Sequence, residues 1–362
     1  MKSKKCVVIL IALWAVLVMS GWLLPAKAES QAERRPLAQL PELSVKTVLS
    51  GSFMDRFETY TLDQFPLRDS FRSLKALFHT YGLGQQDTNG IYIHEGYAAK
   101  MEYPLNQASL NHALGRFNYL YQKYLSDSKV FMAVVPDKNY YLAQESGRLS
   151  LDYEALFASV QAEIPWAEYI DLTGTLSLED YYRTDTHWRQ ERILEAAAAI
   201  CAAMGTAVPD ADEFTPVALE KPFPGVYRGQ AALPMGTDTL YLMESDVLKN
   251  CRVYDHETGK EFPVYDMSKL ESKDLYDVYL GGAKALLTIE NPGAATEEEL
   301  IVFRDSFGSS MIPLLAANYA RVTVVDIRYI GIDLLDRFVE FSGQDVLLLY
   351  STLILNGSSA IK

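Results

Sequence analysis

From residue 299 onward the chain alternates strand-like apolar runs with helix-like stretches. Strands are expected over 299–304, 321–327 and 345–350, and helices over 309–319 and 331–341. A short apolar run without strict alternation reads as a strand buried on both faces. Helices placed between such strands return the chain to the same edge of the sheet. The rhythm therefore predicts an α/β fold with a mostly parallel sheet covered on both sides. The same rhythm begins earlier, at Lys129–Val135, a run closed by Pro136. A helix over 151–163, a strand at Tyr169–Leu172 and an Ala-rich helix from Arg189 to Met204 follow.

Three other regions read differently. Residues 205–298 hold several Pro and Gly, with strand candidates at 239–243, 251–254 and 285–289, and are expected as a small, mixed β-rich insertion. Residues 52–82 show Phe53, Phe57, Tyr60, Phe71, Leu74, Leu77 and Phe78 at helical spacing, broken at Pro66. They predict a helical N-terminal extension. Ile91–Ile93 is a short strand candidate, and 106–125 an amphipathic helix with Leu110, Leu114, Phe117, Leu120 and Tyr121 on one face.

The N-terminus reads as a targeting segment. Lys2, Lys4 and Lys5 precede an uncharged run from Cys6 to Leu24. Pro25-Ala26-Lys27-Ala28 then offers an Ala-x-Ala cleavage site before Glu29. The run suits a cleaved signal peptide, and it is also long enough to span a bilayer as a retained anchor. Both readings predict an exported body, secreted or anchored to the outer face of the cytoplasmic membrane. The expected organisation is 1–28 signal or anchor, 29–50 linker and 51–362 catalytic domain, the last including the insertion at 205–298.

Composition excludes some classes. At 362 residues and 49% hydrophobic, the chain can bury a large core. A net charge of −14 argues against a nucleic-acid partner, which would need clustered Lys and Arg. Neither CxxC nor HExxH occurs, so no metal is expected, and no cofactor is implied. Cys201 sits in the Ala-rich helix and reads as a small core residue; a Cys201–Cys251 disulfide remains open.

Two segments carry chemistry. Thr184-Asp185-Thr186-His187-Trp188 sets a carboxylate two residues before an imidazole. Arg304-Asp305-Ser306-Phe307-Gly308 sets a serine between a strand and a helix. Ser306, His187 and Asp185 could thus supply nucleophile, base and orienting acid. Each has a plain structural alternative. Asp305 and Ser306 suit a helix N-cap, and Asp185 could cap the helix after it. An isolated His is most often structural.

The segment Tyr181–Trp188 resembles the signature of the DHHW family. That family is grouped with the alginate O-acetyltransferase-like branch of SGNH-type serine esterases and acetyltransferases. Four further stretches agree in order: Asp63–Arg68, Val135–Lys138, Asp305–Phe307 and Val325–Tyr329. The resemblance spans roughly residues 50–350 and implies a three-layer SGNH-hydrolase-like fold. It implies an O-acetyltransferase or acetylesterase in which Ser306, His187 and Asp185 form the triad. The substrate would be a cell-envelope or extracellular polysaccharide. A membrane acyl-transfer protein is an implied partner, and the oligomeric state stays open.

Lys138, Tyr182 and Arg328 are substrate-binding candidates. Against this, Lys138 suits a solvated loop, and Arg328 suits a pair with Asp326. Tyr140, Tyr141, Tyr181 and Tyr182 could line a sugar groove or serve as ordinary sheet residues. Gly281-Gly282 could bring backbone N–H groups near the site or merely turn the chain.

Two departures from the family pattern stand out. Arg304 replaces the Gly that precedes Asp-Ser, leaving the tight nucleophile turn unassured. Ala283 replaces an Asn after Gly281-Gly282, which would remove one oxyanion donor. A noncatalytic glycan-binding or scaffold protein on the same fold is the alternative these departures motivate.

Overall fold

The structure, a computed structural model, describes residues 2–362. The chain divides into two compact units. One comprises the residues through Asn89 together with Arg228–Met235; the other comprises Gly90–Tyr227 and Gly236–Lys362.

The larger unit is built on an eight-stranded sheet. Its strands are β1 (Val130–Val135), β2 (Glu168–Asp171), β3 (Arg252–Asp255), β4 (Lys260–Phe262), β5 (Leu286–Glu290), β6 (Glu299–Arg304), β7 (Arg321–Val325) and β8 (Asp345–Ser351). Their order is β4-β3-β5-β7-β6-β8-β1-β2. The five strands β7-β6-β8-β1-β2 are mutually parallel. The edge β4-β3-β5 is antiparallel. The chain is thus a mixed α/β protein with a large, mostly parallel sheet.

The central strands read as unbroken apolar runs because both faces are covered. Val130, Met132 and Val134 of β1 point to one core with Leu110, Leu114, Phe117, Leu156 and Val160. Phe131, Ala133 and Val135 point to the other with Ala196, Ile200, Met311 and Leu315. Strands β6 and β8 divide between the two cores in the same period-two manner. Each such fully buried aliphatic side chain stabilises the fold by about 1.5–3 kcal/mol. The helices Gln107–Leu120 and Tyr153–Glu163 supply the first core; Leu194–Met204 and Gly308–Ala316 supply the second.

Two expectations need correction. Strands β3, β4 and β5, expected within a separate insertion, extend the main sheet; of the 205–298 segment only Thr215–Ala218 and Tyr241–Glu244 form a small sheet apart. The helix expected over 331–341 is only a 3₁₀ segment, Ile332–Arg337. Cys201, read as a small core residue, is buried, and the pairing left open with Cys251 is not made: both are free thiols.

The smaller unit begins with the helix Lys2–Leu23. Its stretch Lys4–Gly21 is long and apolar enough to cross a membrane. Residues 29–50, expected as a linker, contain a short strand pair, Glu29–Ser30 with Arg35–Pro36, and the helix Val45–Leu49. Helices Ser52–Asp63 and Arg68–Leu77 follow on either side of Pro66, as the spacing predicted. Asp63, buried at the end of the first, accepts both Arg35 Nη atoms (2.9 and 2.6 Å) and the Ala38 N–H. These donors hold its carboxyl below the usual carboxylate range.

Candidate active site

Strand β6 lies between β7 and β8. The chain leaves β6 to build β7 on one side, then crosses to build β8 on the other. The carboxyl end of β6 is therefore a topological switch point, where open α/β sheets bind ligands. Ser306 stands there, two residues beyond Arg304 and two before the helix Gly308–Ala316.

The turn that carries Ser306 is tied down by Asp305, which is fully buried. Asp305 accepts the Phe307 N–H at 2.9 Å, and the Ser351 N–H and Oγ–H at the end of β8 at 2.8 and 2.6 Å. Its carbonyl accepts the Gly308 N–H. Arg304 does not prevent this turn. The close approach falls instead at Gly308, where an added Cβ would lie 2.7 Å from Arg304 Cβ. The Arg304 guanidinium is buried and donates from Nη2 to the Gly282 carbonyl at 3.1 Å, with Asp326 3.8 Å from Nη1. It thus pins the turn Leu280–Gly282, whose three residues all have positive φ. Gly282 is required there, since a Cβ would meet Asp277 Oδ1 at 2.3 Å.

His187 reaches the serine from the segment after β2. Its Nε2 lies 2.8 Å from Ser306 Oγ, and its Nδ1 lies 2.6 Å from Asp185 Oδ1. The same Oδ1 accepts the His187 N–H at 3.2 Å, and Oδ2 accepts the Val226 N–H at 2.8 Å. A tight turn brings the carboxylate back to the ring, as a two-residue spacing requires. Tyr182 N–H bonds to the His187 carbonyl, and Tyr181 bridges to Trp188. Asp185 is fully buried, His187 nearly so, and Ser306 half-buried. Of the chain Asp185–His187–Ser306, the hydroxyl end is thus the most exposed.

The imidazole is held between two rings. Tyr276 stacks on it with centroids 3.9 Å apart and planes 7° from parallel, while Phe307 lies tilted at 5.1 Å. Tyr276 OH and Ser310 Oγ are 2.7 Å apart, and Ser310 Oγ accepts the Trp188 indole N–H at 2.8 Å. The indole also donates to the Phe307 carbonyl at 3.1 Å. Gln190 Nε2 reaches the Ser310 carbonyl. Trp188 and Gln190 thus lock the histidine segment to the helix that follows the serine.

The three substrate-binding candidates are placed as support. Lys138 is buried at the first turn of the helix Lys138–Ser146, not solvated on a loop. Its ammonium donates to the Tyr182 carbonyl at 2.8 Å and sits over the Tyr227 ring. Burial pushes its pKa down to about 7, against the pull of Asp185, Asp238 and Asp137. Tyr182 is fully buried and packs edge-on against Phe223. Arg328 forks onto Asp326, with Nε–Oδ1 at 2.9 Å and Nη2–Oδ2 at 2.6 Å. Ala283 is exposed on the chain just after Gly282. Tyr141 and Tyr181 belong to the packed interior, with the Tyr181 hydroxyl on the Pro136 carbonyl.

Sequence reasoning missed Tyr276, Ser310, Ser351, Asp238 and the Val226 N–H. Tyr276 lies in the 205–298 stretch, where no periodic signal marks it. Asp238 accepts the Arg183 and Thr184 N–H groups and the Thr184 hydroxyl, fixing the start of the Asp-x-His segment.

No curated protein matches the chain. Among solved structures it is similar to a DHHW family protein from Eubacterium siraeum, with 21% identity and a TM-score of 0.60, over 76% of this chain and 94% of that one. It is also similar to Bacillus cereus PatB1 with a sulfonyl adduct, with 17% identity and a TM-score of 0.56, over 73% and 95%. Both likenesses concern the fold. Residues 174–325, which include His187 and Ser306, match the family model described as DHHW protein. The relationship read from the order of the motifs is therefore shown: the chain is related to the DHHW proteins through the segment that holds both halves of this site.

Proposed function

We propose that the protein is an exported serine-dependent O-acetyltransferase or acetylesterase of an envelope or extracellular polysaccharide, with Ser306 as nucleophile, His187 as base and Asp185 as orienting acid. The observation that carries this reading is the unbroken relay from Asp185 Oδ1 through both ring nitrogens of His187 to Ser306 Oγ, at 2.6 and 2.8 Å. Both separations lie in the range that proton transfer needs. The covered sheet with the serine at its switch point supports a three-layer SGNH-type fold. The membrane-length helix at the N-terminus supports export or anchoring.

In the proposed cycle, Ser306 Oγ bonds to an acetyl carbonyl carbon while its proton passes to His187 Nε2. Asp185 holds Nδ1–H and favours the imidazolium that results. The Ser306 N–H, ahead of the helix Gly308–Ala316, faces the developing oxyanion with the positive end of the helix dipole. The donor C–O bond then breaks, and the leaving oxygen takes the proton from His187. A sugar hydroxyl or water next gives its proton to His187 and attacks the acetyl-serine. Ser306 recovers its proton as the product leaves.

The test is turnover of a small acetyl ester by the wild type, Ser306→Ala and His187→Ala. Turnover that both variants abolish, with unfolding midpoints unchanged, supports the reading. A wild type that is inert toward acetyl esters yet binds acetylated glycan would favour a noncatalytic scaffold, the reading that Ala283 motivates.

A further inference from the structure

The unit formed by the N-terminal residues exposes large apolar side chains far more densely than the rest of the chain. Fourteen large apolar side chains are exposed between Leu40 and Leu83, against eight over the whole of 90–362. The exposure therefore belongs to this unit. Along the helix Arg68–Leu77 it is ordered. Phe71, Leu74 and Phe78 recur at steps of three and four, which places them on one helical face, and Leu67 stands at the N-cap before it. Leu67 is 68% exposed and Leu74 62%. Tyr81, 75% exposed, continues the face in the π-helical turn Phe78–Gly82. The amphipathic pattern is thus inverted relative to a core-facing helix, because its apolar side has no protein cover.

Two observations say what covers it. The membrane-length helix Lys2–Leu23 ends against this same region: Leu17, Val18 and Gly21 line one hollow with Tyr60, Phe65 and Pro66. Phe65 in turn packs edge-on against Phe71 of the apolar face, with centroids 5.5 Å apart. If Lys4–Gly21 crosses a bilayer, Leu17 to Gly21 lies at its outer boundary, and Phe65 brings Phe71 of the apolar face beside it. Charge agrees. Outside Lys2–Lys5 this unit carries nine Lys and Arg against eight Asp and Glu, while the other unit carries 21 against 39. Arg68 and Arg72 are paired inward with Glu33 at 2.6 and 3.2 Å, which neutralises the charge under the apolar face, and Lys75 is exposed beside it. The acidic unit would be repelled by an anionic leaflet, and this unit would not.

We infer that the face Leu67–Phe71–Leu74–Phe78–Tyr81 rests in the outer leaflet of the membrane that Lys4–Gly21 spans, holding this unit on the lipid surface. The inference rests on the anchor alternative for the N-terminus and is independent of the chemistry at Ser306.

The test uses the full chain in vesicles of phosphatidylcholine and phosphatidylglycerol. Nitroxide labels are placed by Leu67→Cys, Leu74→Cys or Leu334→Cys on a Cys6→Ser background, where the remaining cysteines are buried. Relaxation by oxygen, which concentrates in lipid, is compared with relaxation by a water-soluble nickel chelate. Labels at 67 and 74 should favour oxygen over nickel, while the label at 334 should favour nickel. Adding Phe71→Glu and Phe78→Glu should move the 74 label to the water-accessible value. An anchored chain whose 74 label matches the 334 label overturns the inference and leaves the anchor reading standing. Shielding of the 74 label in native membranes, but not in these vesicles, would overturn it in favour of a membrane protein as the cover.

Discussion

The ring of Tyr276 lies flat on the imidazole of His187, with centroids 3.9 Å apart and planes 7° from parallel. An aromatic face attracts a cation, and in the proposed cycle His187 is one while it holds the Ser306 proton. In that cycle the stack would favour the charged intermediate by about 0.5–2 kcal/mol. Tyr276→Phe keeps the face and loses the hydroxyl contact with Ser310; Tyr276→Leu loses both. Acylation by an activated acetyl ester should fall roughly 10-fold in the Leu variant, with the pH–rate profile shifted, and by only about 2-fold in the Phe variant. Equal losses in both variants would assign the effect to the hydroxyl.

Lys138 should make stability depend on pH. Its folded pKa is about 7 against an ordinary 10.5. Such a base holds its proton less tightly when folded than when unfolded. The cost is full below about 7 and fades as pH rises toward 10.5. The unfolding free energy of the wild type should therefore rise over that window relative to Lys138→Met. Parallel curves for the two proteins between these values would show that Lys138 is not buried as a neutral amine.

Gly308→Ala tests the turn beneath the serine. The new methyl would lie 2.7 Å from Arg304 Cβ, a contact that no rotamer change relieves. The expected cost is about 1–3 kcal/mol in urea unfolding, with loss of ester turnover as Ser306 is displaced. An unchanged midpoint would mean that the helix start is free to shift.

Ala283→Asn addresses the oxyanion side. If the residue after Gly282 faces the developing charge, a restored amide donor should raise acetyl-ester turnover on the order of 10-fold or more. No change would place Ala283 outside the oxyanion hole and leave the Ser306 N–H as its principal donor.

The parallel strands were legible because strands covered on both faces are continuously apolar, and Leu300–Phe303 and Val130–Val135 show nothing else. The serine and histidine segments were legible because a carboxylate, an imidazole and a strand-end hydroxyl are few and specific. Strands β3 and β4 were harder to place. They are short and half-exposed at an edge, so composition could not say whether they joined the main sheet. Tyr276 was illegible for a different reason: a stacking partner leaves no periodic mark and is brought to His187 only by tertiary folding. Lys138 misled because its solvation depends on what packs over it, and Tyr227 does so from far along the chain.

The central claim is that Ser306 is an activated nucleophile at the end of the Asp185–His187 relay. Treatment with phenylmethylsulfonyl fluoride, followed by intact-mass and peptide mapping, tests it most directly. The account predicts one sulfonyl adduct, located on Ser306, absent in Ser306→Ala and strongly slowed in His187→Ala. A wild type left unmodified, or an adduct mapped to any other residue while Ser306 stays free, would contradict it.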